Sequence, residues 1–193
     1  MVSQVAVVAV VLMFGAILAM MTVYASRYKK VPPDKAMVVY GRRMGPGPGA
    51  GYRVISGGGK FILPVIECYE YLPLDVRNIA MELDDVRVTG EGGTPERVRL
   101  KTSALVKVSS EPSGLNVAAE HLLHKSDADI NEIARSTTEG VMRTILRSAT
   151  YHELDMDRED WATRIGMLAN RDLNNVGIEV RAFVIHDVHQ SGQ

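Results

Sequence analysis

The side chains that do chemistry are present in this chain, but not at the spacings chemistry needs. Gly57-Gly58-Gly59-Lys60 puts a lysine after three glycines, yet Phe61 follows it where a phosphate loop, G-x-x-x-x-G-K-[ST], needs Ser or Thr. The glycines of residues 44–51 alternate with Pro46 and Pro48, which lack the amide donors a phosphate cradle uses. His121 and His124 lie three apart with Leu122 and Leu123 between them, whereas a zinc-binding H-E-x-x-H helix sets its two histidines four apart. His186 and His189 fall in and beyond an apolar run near the end. Ser56, Ser103 and Ser136 sit in no G-x-S-x-G elbow. Asp84-Asp85 and the DMDRED run at 155–160 lack the glycine and terminal glutamate of a calcium loop, and carboxylates at a helix start explain the second run better. Cys68, the single cysteine, excludes an internal disulfide and a cysteine-built zinc site. Its apolar surroundings at 65–72 predict a buried thiol. These residues imply no catalytic group, no metal and no cofactor, and hence a protein that is not an enzyme.

The composition narrows the class further. In 193 residues, 22 Lys and Arg face 23 Asp and Glu, for a net charge of -1. A general nucleic-acid binder needs a basic excess to neutralise phosphates, so nucleic acid is not an expected partner. The length suits one domain with an appendage.

The appendage is N-terminal. Residues 5–24, VAVVAVVLMFGAILAMMTVY, contain no charged side chain. At helical rise they span roughly 30 Å, the thickness of a bilayer's hydrocarbon core. A cleaved signal peptide is the competing reading, but nothing basic precedes Val5 and the apolar run exceeds an h-region. Arg27, Lys29, Lys30, Lys35, Arg42 and Arg43 follow the run. The positive-inside rule then predicts a single-pass cell-membrane protein whose C-terminal side is cytoplasmic. The same six residues are candidate contacts for anionic headgroups, each worth on the order of 1 kcal/mol near such a leaflet. Setting topology and touching lipid are compatible roles. Tyr24 and Tyr28 fall where aromatic residues anchor at the interface.

Beyond the anchor, Val31-Pro32-Pro33 breaks the helix and the sequence turns strand-like. Strands are predicted over 36–40, 52–55, 60–63, 65–72, 78–83 and 85–89, with a hairpin connection at 91–95. Over 97–108, Val98, Leu100, Thr102 and Ala104 alternate with Arg97, Arg99 and Lys101, the mark of a strand with one wet face. Apolar residues then recur at helical steps over 113–124, from an N-cap at Asp127 to about 149, and from Asp157 to 173. Residues 178–188 read as a closing strand. Strands, then helices, then one strand make the class α+β.

Four blocks in this order resemble the SPFH (stomatin-prohibitin-flotillin, or band 7) family, and the flotillin branch most: VPPDKAMVVYG at 31–41, YRVISGGGKFILP at 52–64, EGVMRTIL at 139–146, and NVGIEV with IHDV at 175–188. The resemblance covers 28–188, so the expected organisation is an anchor at 1–27, an SPFH domain at 28–188 and a tail at 189–193. It implies a membrane-anchored scaffold that self-associates as a homo-oligomer and organises membrane lipids and partner membrane proteins into patches. The alternative is a prohibitin-like module that restrains a membrane-bound ATP-dependent protease. Flotillins continue into a long Ala/Glu-rich coiled coil, and residues 189–193 carry no heptad run, so either the natural chain is longer or assembly uses the domain alone. Two further surfaces follow as candidates. Phe61, Ile62, Leu63 and Pro64 form an apolar edge that dips towards lipid. Glu132, Arg135, Glu139, Arg143 and Arg147 stripe the long helix, either as an ordinary solvated face or as a subunit interface.

Overall fold

The computed structural model describes residues 2–41, 51–63, 65–90 and 94–190. It is α+β and divides into two compact units, Met1–Tyr71 and Leu72–Gln193.

The first unit opens with α1 (Val2–Arg27), whose described side chains are all exposed. It runs directly into β1 (Tyr28–Lys30), a short strand that is not among those predicted from the sequence. β1 pairs antiparallel with β4 (Gly59–Phe61), and β2 (Lys35–Tyr40) pairs with β3 (Tyr52–Ser56) in a sheet of order β3-β2-β5. The turn between β3 and β4 uses Gly57 and Gly58 at φ +89° and +74°. Met37, Val39, Val31 and Ile62 form the small core, with Ile55, Tyr69 and Tyr71 packed on it. The strand expected over 65–72 begins only at Cys68, as β5 (Cys68–Pro73). Residues 65–66 are a turn instead, because the amides of Ile66 and Glu67 both donate to the Leu63 carbonyl, at 3.0 and 2.8 Å. Cys68 is therefore the first residue of its strand and is exposed, against the expectation of a buried thiol.

The second unit is a three-stranded antiparallel sheet, β6 (Arg77–Thr89), β7 (Pro95–Val108) and β8 (Ile178–Gln190), in that order. The alternation read in β7 holds: Val98, Leu100, Thr102, Ala104, Val106 and Val108 are all buried. The two strands expected at 78–83 and 85–89 are one, joined by a bulge between Leu83 and Val86. The bulge keeps Val86 and Val88 on the face already carrying Ile79, Met81 and Leu83. Without it, strict alternation after Leu83 would bury Asp85 and expose Val86. His189 and Gln190 continue β8 by pairing with Arg99 and Val98.

The helices are α2 (Pro112–Leu122), α3 (Asp127–Ile145), the short α4 (Tyr151–Met156) and α5 (Arg158–Asn174). A 3-10 turn (Leu146–Ser148) ends the long segment. α3 packs on β6, and α5 on β8. The buried Thr102 hydroxyl, 3.8 Å from the Met142 sulfur, marks where sheet meets α3. The N-cap of α3 is Ser126 rather than Asp127, because a capping box closes there. Ser126 Oγ accepts from the Asp129 amide at 3.2 Å, and the Asp129 carboxylate accepts from the Ser126 hydroxyl at 2.7 Å and from its amide at 3.0 Å. Asp127 instead receives Arg77 at 2.6 Å. Thr150 and Glu153 close an equivalent box that starts α4, a helix the sequence reading did not separate.

Two measurements check this account. Gly177 sits at φ +80°, and a Cβ there would come within 2.5 Å of the Ala118 amide nitrogen in α2. Gly177→Ala should cost more than about 2 kcal/mol in denaturant unfolding. Hydrogen bonds from Ser126 hold the Asp129 carboxyl below its ordinary pKa, and those from Thr150 do the same for Glu153. A lowered folded-state pKa means the contribution is present above the unfolded value and is lost as pH falls through the folded one. D129N and E153Q should each melt below the parent chain at pH 7, with the gap closing below about pH 4.

Candidate membrane-interface site

The exit of α1 gathers the features the sequence singled out for the membrane. Ala6–Arg27 is the one helix among the described residues long and apolar enough to cross a bilayer. Tyr24, in its last turns, stacks on Phe61 of β4 with ring centroids 5.2 Å apart. The Ile62 amide donates to the Arg27 carbonyl at 3.1 Å, so β4 meets the chain where the helix ends. Arg27 and Lys30 are exposed, and Lys29 and Lys35 are half-buried. Arg42, Arg43 and Pro64 lie outside the described residues.

Lys29 and Lys60 are directly opposite in the β1–β4 register, an arrangement that is destabilising unless the charges are relieved. Lys60 is relieved by Glu67, whose buried carboxylate accepts from its Nζ at 3.2 Å. Lys29 lies 6.0 Å from the Tyr69 ring centroid, at the edge of cation–π range. Glu67 also accepts from the Leu63 amide at 3.2 Å, tying both ends of the segment 60–67 to one carboxylate.

That tie sorts the apolar edge. Ile62 is only 4% exposed and belongs to the core, and Phe61 is half-buried under Tyr24. Leu63 is 41% exposed, Val65 93% and Ile66 47%. The outward apolar surface is thus the tip of the turn, and Val65 and Ile66 were missed because they were read as strand. The signal that could have found them is Glu67 itself. A carboxylate within an apolar run needs partners, and the nearest candidate is Lys60.

In the second unit, Glu132 and Arg135 pair within α3 at 3.9 Å. Glu139 is half-buried, and Arg143 and Arg147 are exposed at the far end of the same stripe.

Comparison with known proteins accounts for this arrangement of elements. The family described as SPFH domain / Band 7 family matches residues 29–191. The chain belongs to that family. This SPFH chain is 30% identical over 181 residues to the flotillin-like protein FloT of Bacillus subtilis (strain 168), a match covering 91% of the chain and 35% of FloT. It is 30% identical over 158 residues to flotillin-1 of Carassius auratus and 29% identical to flotillin-1 of Homo sapiens, each match covering 81% of the chain and 35% of the relative. The chain spans about a third of the length of these curated relatives.

Glu67→Ala should loosen the turn of this SPFH protein. Expected outcomes are a loss of about 1–3 kcal/mol in stability and new cleavage between residues 60 and 67 in limited proteolysis. Unchanged cleavage would mean the carboxylate does not hold the turn.

Proposed function

We propose that the chain is a non-enzymatic, membrane-anchored scaffold, with α1 spanning the cell membrane once and the C-terminal side in the cytoplasm. The observation that carries this reading is the junction at α1: an uncovered apolar helix that runs without a linker into a strand flanked by cations. Residues 1–27 are the anchor and 28–188 the SPFH domain. Arg27, Lys29, Lys30, Lys35, Arg42 and Arg43 meet anionic headgroups, and the turn tip at Leu63, Val65 and Ile66 enters the headgroup boundary.

Self-association follows from confinement. Weak contacts between copies held in one plane act at high effective concentration, so modest interfaces suffice. The stripe of α3, through Glu139 in particular, is the surface offered for those contacts, and the assembly groups lipids and partner membrane proteins. Similarity to flotillins supports this scaffold over restraint of a membrane protease.

One preparation of the full chain in vesicles tests both parts. The chain should stay with the membrane in alkaline carbonate, and after extraction in neutral detergent it should scatter light as an oligomer that Glu139→Arg makes smaller. Release by carbonate overturns the anchor, and an unchanged size for the variant overturns the stripe as an interface.

A further inference from the structure

The second unit holds an arginine cleft at the far end of the α3 stripe. Arg143 in the last turn of α3, Arg147 in the 3-10 turn and Arg87 near the end of β6 line an open cleft of about 180 Å³ together with Asp85 and Val86. Asp85 is already engaged: Arg97 Nη1 donates to both of its carboxylate oxygens, at 2.7 and 2.8 Å. Among the described residues, no carboxylate pairs with Arg87, Arg143 or Arg147.

Two observations make that imbalance informative. Arg87 stands directly across from Arg97 in the β6–β7 register, where like charges repel, and among the described residues a carboxylate neutralises Arg97 but not Arg87. The acidic start of α3, the natural complement for a basic helix end, is occupied within its own unit. Asp127 holds Arg77, Asp129 holds Ser126, and Glu132 holds Arg135. The carbonyl end of α3 offsets only about half an elementary charge, against three guanidinium groups, so the cleft stays cationic.

We propose that this cleft binds a phosphate group, carried either by an anionic lipid or by a small soluble phosphoester. Guanidinium forks match phosphate oxygens in pairs. A tetrahedral anion has enough acceptors for three such forks, whereas a carboxylate has two oxygens. The site does not depend on the scaffold reading, since it is built wholly within the second unit.

The test uses the full chain in neutral detergent. Inorganic phosphate is titrated against chloride at matched ionic strength, and binding is read from phosphorus NMR line width and from the thermal midpoint. The parent chain should show saturable binding. R143Q and R147Q should each weaken it about tenfold, and R87Q/R143Q/R147Q should abolish it. R164Q, which removes an exposed arginine paired with Asp160 at 2.8 Å, should bind like the parent. If the triple variant fails a circular-dichroism check for folding, R147Q, altered on an exposed turn, carries the comparison. A second arm places the chain, in buffer free of inorganic phosphate, in vesicles of zwitterionic phosphatidylcholine with or without anionic phosphatidic acid. Stabilisation by phosphatidic acid that vanishes in the arginine variants identifies a lipid phosphate. Saturable inorganic phosphate binding without that stabilisation identifies a soluble one. No saturable response to either probe in the parent, or an equal response in the variants, overturns the proposal.

Discussion

An apolar helix surface that stays exposed at every described side chain is the constraint on which this structure turns. Every described side chain of α1 is exposed, and the helix satisfies its backbone hydrogen bonds internally, which is what hydrocarbon demands of a spanning segment. In water such a surface is unfavourable by about 25 cal/mol for each Å² of apolar area. Lipid removes that cost, and no rearrangement of a few side chains could. The rest of the first unit is organised where this helix becomes polar, by an aromatic stack, a short strand pair and a run of cations.

Glu67 shows how one buried carboxylate can arrange an apolar surface. It is tied to Lys60 and to the Leu63 amide, so the turn between them cannot collapse inward. Ile62 goes to the core, and Leu63, Val65 and Ile66 stay outside. Desolvating a carboxylate is costly without partners, so the same ties that neutralise Glu67 define the shape of the turn.

The second unit depends on keeping one face of a sheet apolar over long strands. β7 manages this by strict alternation, and β6 by absorbing an extra residue at its bulge. The bulge also sets Asp85 beside Arg97, leaving Arg87 near the end of α3 without a carboxylate among the described residues. A device that maintains the core thus shapes the charge distribution at the edge of the sheet. Capping boxes at Ser126 and Thr150 fix where α3 and α4 begin, and Gly177 allows the close approach to α2.

Periodicity and charge alone carried the uncharged span, the basic flank, the alternation in β7 and the order of strands and helices, and resemblance in four motif blocks carried the family. Those features are local: each is encoded within a few residues or repeats at a fixed spacing, so no knowledge of distant partners is needed. What the tertiary structure decided was every question of pairing. Whether Cys68 is covered, whether Ile62 faces outward or into the core, which residue caps α3, and which carboxylate each arginine meets among the described residues all depend on groups brought together across turns and strands. A side chain's burial and its ion partner are properties of its neighbours in space, and one linear sequence names those neighbours only once the chain has folded.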